Sequence, residues 1–205
     1  MDWSLTHAFN AYLANHDAIE DPLVAYANGA ELLFLALLAV LFVLRGDHGR
    51  SRARRAAVAA GLSCGLALIV AQVVTRLVDR PRPFVADPGR VHLFARHAAD
   101  PGFPSDHATA AFAIAVAILL RSRRAGLVVL AAAAILAAAR VGMGVHYPTD
   151  VLGGAALGAA CALLLWPEPV RARVDGLADA VGRVWDGLLQ RVVSGVARDR
   201  SGGAT

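Results

Sequence analysis

The sequence is poor in charge, and it contains no lysine, so every basic side chain other than histidine is arginine. Charged residues make up 18% of the 205 residues, and 57% are hydrophobic, which excludes a disordered chain. Five stretches have no Asp, Glu, Lys or Arg: 32–44, 56–75, 108–120, 125–139 and 151–167. Such segregation of charge excludes an ordinary soluble domain and is typical of a chain divided between bilayer and water.

The sequence is also poor in cysteine. Its two cysteines, Cys64 and Cys161, each lie within a charge-free stretch. We therefore expect two small buried thiols and no disulfide framework.

Five membrane-spanning helices can be placed, because crossing the hydrocarbon core takes about 20 residues. The predicted spans are 23–45, 56–78, 105–121, 125–141 and 149–166. We predict an all-α, polytopic membrane helix bundle. Its membrane-embedded domain is expected to cover residues 1–166, with a tail over 167–205.

Amphipathic segments flank the predicted spans. Residues 1–22 are expected to lie in the outer headgroup layer through Trp3, Leu5, Phe9, Tyr12 and Leu13, and their acidic residues argue against a cleavable signal peptide. In the tail, apolar residues recur at helical spacing: Val170, Val174, Leu177, Val181, Trp185, Leu188 and Val192. This stripe predicts a helix on the membrane surface, and the alternative is a helix that packs on a partner chain.

The charges of the short loops predict how the bundle is oriented across the membrane. Loops 45–55 and 121–124 are strongly basic, and five spans place both on one side, which should be cytoplasmic together with the tail. Loops 79–104 and 142–148 then face outward. The net charge of +4 does not indicate a nucleic-acid partner, because the arginines occur in short runs between apolar segments.

Three polar clusters fall on the outer side in this topology: the run 76–84 with Arg76, Arg80 and Arg82; Phe103-Pro-Ser105-Asp-His107; and Arg140-x5-His146-x3-Asp150. Each alone has a structural explanation, as helix-end anchors, a helix N-cap or a hydrogen-bonded pair. Their convergence on one membrane face favours a common site.

The arginines of the first and third clusters, together with Ser105 of the second, predict an anion site. The planar guanidinium of arginine suits phosphate oxygens. We expect Arg82 and Arg140 to bind them, with Arg76 or Arg80 as a further donor. Ser105 is expected to be the N-cap of the third span, whose free N–H groups and dipole would face the same place.

The third cluster predicts nucleophilic catalysis. The fifth span should begin at Pro148, so that Asp150 can turn back toward His146 and fix its tautomer. The other ring nitrogen is then free to attack, and His107 is free to protonate a leaving oxygen.

We expect no metal and no organic cofactor. His107, His146 and Asp150 could in principle ligate a metal, but the sequence has no H-E-x-x-H pair on one helix face. Arg82 and Arg140 would repel a cation, whereas they would stabilise a transferring phosphoryl group.

These clusters resemble the three-part signature of the type 2 phosphatidic acid phosphatase superfamily: K-x6-R-P, P-S-G-H and S-R-x5-H-x3-D. The third part matches in spacing, with Ala139 in place of Ser. The second reads Pro-Ser-Asp106-His, which is similar to the bacitracin-resistance branch of undecaprenyl-diphosphate phosphatases. In the first part Thr75 occupies the Lys position, and Arg76 lies one residue later.

The resemblance implies an integral membrane phosphatase that converts undecaprenyl diphosphate to undecaprenyl phosphate at the outer face of the cell membrane. It implies His146 as the nucleophile, Asp150 as its orienting partner and His107 as the acid. Arg82, Arg140, Ser105 and Arg76 would bind phosphate.

Two other functions stay open. A phosphatase for phosphatidate or phosphatidylglycerol phosphate would share every catalytic residue. A non-catalytic transporter or scaffold would explain the spans and Glu31, an ionisable residue within the first span. The sequence assigns no role to Glu31.

Overall fold

A computed structural model shows an all-helical protein and describes residues 1–43 and 50–202; side chains are described for 1–43 and 51–194. The helices are α1 (Asp2–Leu13), α2 (Asp17–Val43), α3 (Arg50–Leu77), α4 (Pro83–Ala86), α5 (Asp106–Leu119), α6 (Arg123–Gly142), α7 (Pro148–Leu164) and α8 (Glu168–Gly202). The predicted all-α bundle is confirmed. The end of the first predicted span with Arg45, and the last residues of the tail, 203–205, lie outside the described residues.

Each of the five predicted spans coincides with a helix, namely α2, α3, α5, α6 and α7. Over the described residues, α2, α3 and α6 are long and apolar enough to cross a membrane, and a fourth span arises if α7 and α8, bent by 86°, are taken together. Helices α5 and α7 have only 14 and 17 residues. These two short helices carry His107 and Asp150 in their first turns, so the site lies at their N-terminal ends.

The outer surface of the bundle is apolar. Leu32 on α2, Ile69 on α3 and Val128 on α6 are 74%, 67% and 71% exposed. Side chains of this kind are stable when they face lipid rather than water.

Glycines on α7 bring it very close to α5. A Cβ atom on Gly154 would lie 2.6 Å from the Ser105 carbonyl oxygen, and one on Gly158 would lie 2.3 Å from that of Thr109. Small residues four apart let membrane helices approach to backbone contact. The close packing sets the start of α5 beside the start of α7, where Ser105 N–H donates to the Asp150 carbonyl at 3.0 Å.

Gly158→Ala is expected to destabilise the protein by about 1–3 kcal/mol, because the added methyl group forces two backbones apart. Gly29→Ala on α2 is the matched control, since nothing lies within 4 Å of its added Cβ atom. Thermal unfolding in detergent should show a lower Tm for Gly158→Ala and no loss for Gly29→Ala. Equal Tm values for the two variants would contradict the close α5–α7 contact.

Helix α1 folds back over the end of the bundle that carries the site. The Asn10 amide donates to the carbonyls of Gly142 and His92 at 2.9 and 2.8 Å and accepts from His92 N–H at 2.9 Å. Leu13 is fully buried, and Phe9 packs at Gly142. Of the side chains expected to rest among lipid headgroups, Leu13 and Phe9 therefore pack against protein instead, because Asn10 ties α1 to the bundle.

Helix α8 packs on the opposite end of the bundle. Its aspartates pair with arginines near the two basic loops: Asp186 with Arg54 at 2.7 Å, Asp179 with Arg55 at 2.6 Å and Asp175 with Arg121 at 3.0 Å. The tail and the described arginines of the two basic loops, Arg54, Arg55 and Arg121, thus lie at one end, as the sequence predicts, and the three polar clusters lie at the other.

Candidate active site

The start of α5 has the predicted form. Ser105 is the N-cap residue in an extended conformation, and its hydroxyl accepts from Ala108 N–H at 3.5 Å. Ser105 is fully buried. The N-terminus of α5 therefore points its remaining N–H groups toward the polar clusters.

His146 lies in the loop between α6 and α7 and is 1% exposed. Its Nδ1 is 2.9 Å from the Gly102 carbonyl oxygen, and its Nε2 is 2.9 Å from Nη1 of Arg82. A carbonyl only accepts and a guanidinium only donates, so the proton is on Nδ1 and the lone pair is on Nε2. The geometry fixes the tautomer that a nucleophilic imidazole requires.

Asp150 is not the direct hydrogen-bond partner of His146. Its Oδ2 is 3.7 Å from His146 Nδ1, beyond hydrogen-bond distance, and accepts instead from Tyr147 N–H at 2.8 Å. Its Oδ1 accepts from Arg80 at 2.8 Å, and Arg80 also pairs with Asp2 at 2.8 Å. The carboxylate thus holds the backbone next to His146, while the Gly102 carbonyl orients the ring.

Arg80 is engaged in this structural network, with its guanidinium 4.2 Å from the centre of the Tyr147 ring. Arg76 is exposed in the last turn of α3, and within the described residues no hydrogen bond or ion pair joins it to the clusters. Neither arginine contacts Arg82, Arg140 or His146 in the described contacts. Phosphate binding by Arg76 or Arg80 stays a prediction.

Arg82 is buried and anchored from several directions. Its Nε donates to the Asp100 carbonyl at 3.0 Å, its Nη2 to the Asp100 carboxylate at 3.2 Å and its Nη1 to the Val145 carbonyl at 3.2 Å. Gly102 packs on the Arg82 side chain, where a Cβ atom would lie 3.1 Å from Arg82 Cγ. These contacts hold the guanidinium of Arg82 against the ring of His146.

Arg140, on the last turn of α6, is 3% exposed. Its Nη2 donates to His97 Nε2 at 2.7 Å, and its buried Nε has no hydrogen-bond partner in the described part of the chain. A buried guanidinium with a free donor is suited to a bound anion.

His97 is a site residue that the sequence motifs do not indicate. Its ring centre is 6.4 Å from that of His146, and it comes from the irregular segment before α5. Burial lowers the pKa of His97, and the charges of Arg82 and Arg140 lower it further, against the Ala98 carbonyl and Asp100. In the sequence, His97 is marked only by lying in the same predicted loop as Arg82, residues 79–104.

His107 lies in the first turn of α5, and its Nε2 is 3.2 Å from Oε1 of Glu31 on α2. Arg140, Arg82, His146 and His97 are all within electrostatic range of it. The structure thus brings Arg82, Arg140, Ser105, His107, His146 and Asp150 to one end of the bundle. Within the described residues, no three of His, Cys, Asp and Glu group as metal ligands would.

The electrostatics keep His146 neutral. Burial lowers its pKa to about 4, and the charges of Arg82 and Arg140 act in the same direction, while Asp150 opposes them. A neutral ring with its lone pair on Nε2 is the form that attacks phosphorus.

NMR of histidine-labelled protein should therefore show the His146 ring neutral from pH 8 down to pH 5, with protonation only near pH 4. An ordinary histidine protonates near about 6.5, so the two cases are well separated. The His146 signal is assigned by its absence in His146→Gln. A midpoint near 6.5 would contradict the buried, arginine-flanked geometry.

The apolar bundle defines a membrane protein, and the buried arginines and histidines at one end form its candidate active site. The family model of the PAP2 superfamily matches residues 56–172. Undecaprenyl-diphosphatase BcrC of Bacillus subtilis (strain 168) is 33% identical over 141 residues, which is 69% of this chain and 70% of BcrC. The chain therefore belongs to the PAP2 superfamily, which confirms the resemblance seen in the motifs.

Two further comparisons agree with this assignment. YbjG of Escherichia coli (strain K12), named a putative undecaprenyl-diphosphatase, is 35% identical over 134 residues, which is 63% of this chain and 65% of YbjG. The crystal structure of Aquifex aeolicus LpxE matches the fold with a TM-score of 0.62 at 23% identity, covering 80% of this chain and 93% of that one. The protein is a multi-pass membrane phosphatase of the PAP2 superfamily.

Proposed function

We propose that the protein hydrolyses undecaprenyl diphosphate to undecaprenyl phosphate and phosphate, and so recycles the lipid carrier of cell-wall synthesis. One observation carries the chemistry: His146 presents a neutral Nε2 to the buried Arg82, with Nδ1 held by the Gly102 carbonyl. The substrate is supported by the names of BcrC and YbjG, at 33% and 35% identity.

In the first step Nε2 of His146 attacks the terminal phosphorus, and the bond from phosphorus to the bridging oxygen breaks. His107 gives a proton to the departing lipid phosphate. Arg82, Arg140 and the N-terminus of α5 at Ser105 stabilise the equatorial oxygens, and phosphate replaces His146 as the partner of the Arg82 Nη1 donor.

In the second step His107, now neutral, removes a proton from water. The water attacks the phosphohistidine, phosphate is released, and His146 is restored. Asp150 acts on both steps by holding the Tyr147 backbone next to the nucleophile. The scheme uses no metal and no organic cofactor.

The active site is proposed to face the outer side of the cell membrane. The basic loops and α8 share the opposite end of the bundle, where Arg54, Arg55 and Arg121 pair with tail aspartates. Positively charged loops favour the cytoplasmic side. An outward site would meet the diphosphate carrier where cell-wall sugars are polymerised.

The test is phosphate release by purified protein from undecaprenyl diphosphate, phosphatidate and phosphatidylglycerol phosphate, each with and without EDTA. We expect a strong preference for the polyprenyl substrate and no effect of EDTA. Preference for phosphatidate or phosphatidylglycerol phosphate would favour the alternative lipid phosphatase with the same catalytic residues. Loss of activity in EDTA would indicate that the reaction needs a metal ion. No phosphate release from any substrate would favour a transporter or scaffold.

A further inference from the structure

An isolated carboxylate lies inside the membrane-spanning part of α2. Residues 22–43 contain a single charged residue, Glu31, and the facing helix α3 has none over 56–75. Placing an ionisable side chain at such a position is costly, so it is retained where it has a partner and a function.

The partner of Glu31 belongs to the proposed catalytic machinery. Oε1 of Glu31 is 3.2 Å from Nε2 of His107, and no other ion pair of Glu31 occurs within residues 1–43 and 51–194. Both side chains line a cleft of about 420 Å³ between α2, α3, α5 and α6, whose other walls are largely apolar, including Phe34, Leu35 and Leu68. The Glu31 side chain is 72% exposed and that of His107 21%, so the pair is open on the Glu31 side.

The contact also decides which nitrogen of His107 is available. Since Nε2 faces Glu31, Nδ1 is left for the substrate oxygen. A carboxylate on one ring nitrogen fixes the orientation of the ring, which a general acid needs if its other nitrogen is to reach the leaving oxygen.

We propose that Glu31 is a positioning residue for His107, forming a carboxylate–histidine pair that holds the general acid oriented toward the leaving oxygen. The proposal rests on the proposed function, in which His107 protonates the departing lipid phosphate. The proton passes from Nδ1 of His107 to the departing phosphate oxygen as the phosphorus–oxygen bond breaks.

The test measures kcat and KM on undecaprenyl diphosphate for Glu31→Gln, Glu31→Asp, His107→Ala and the double variant. General acid–base catalysis contributes about 10²–10⁴-fold, so we expect Glu31→Gln to lose about 10–100-fold in kcat with little change in KM. Glu31→Asp should recover part of the loss. Glu20→Gln is the control, the same change near the start of α2, and should leave kcat unchanged.

The double variant separates this role from a structural one. If Glu31 acts through His107, Glu31→Gln causes no further loss in kcat once His107 is Ala. Additive losses, a change in KM alone, or full activity of Glu31→Gln would overturn the proposal. Full activity of His107→Ala would instead reject the catalytic role of His107, which is a failure of the proposed function itself.

Discussion

Replacing His146 by Gln is expected to reduce phosphate release from undecaprenyl diphosphate by about 10⁴-fold or more, since loss of a catalytic nucleophile removes the covalent route entirely. Gln keeps a similar size and can still donate to the Gly102 carbonyl, so the buried loop between α6 and α7 should remain folded. The measurement is single-turnover phosphate release by purified protein in detergent, with Tm recorded for each variant.

The matched control is His16→Gln, at an exposed histidine between α1 and α2. It should keep the wild-type rate. A His146→Gln variant that retains more than a tenth of the wild-type rate would reject His146 as the nucleophile.

Replacing Arg82 by Gln is expected to reduce kcat by about 10³–10⁵-fold, the range found when an arginine that stabilises a transferring phosphoryl group is removed. Arg82 serves three purposes at once, because its fork faces Nε2 of His146, binds the Asp100 carboxylate and donates to the Val145 carbonyl. Arg82→Lys keeps the charge but loses the planar fork, so its kcat should fall between those of Arg82→Gln and the wild type.

Arg90→Gln is the control for Arg82, because Arg90 belongs to the same segment between α3 and α5 and its side chain is 71% exposed. Its kcat should stay within about twofold of wild type, as exposed ion pairs contribute little. Equal losses for Arg82→Gln and Arg90→Gln would show a general effect of positive charge on substrate capture instead of a role in the reaction.

Local signals predicted much of the fold. Charge-free stretches located the helices, Ser105 marked the start of α5, and Pro148 marked the start of α7. These features depend on residues close together in sequence, so composition and capping rules can predict them. Helix α5 ends at Leu119, two residues before the predicted end at 121, because the apolar pattern does not mark the exact end of a helix.

The sequence predicts which residues form the site better than it predicts the contacts among them. Spacing in the third motif places Asp150 near His146, but the acceptor for Nδ1 is the Gly102 carbonyl, 44 positions away in sequence. His97 reaches Arg140 through a loop of irregular backbone, and no periodicity signals such a contact. The motif also could not show that Arg80 is engaged by Asp150 and Asp2.

Trapping the phosphoryl group tests the central claim most directly. Protein mixed with undecaprenyl diphosphate labelled at the terminal phosphate is quenched in alkali within the first turnover and digested with trypsin. Cleavage after arginine separates the histidines, since residues 141–171 contain only His146, whereas 97–121 contain His97 and His107. The account predicts label on 141–171 and none in His146→Gln; label on 97–121, or turnover with no labelled peptide, would contradict it.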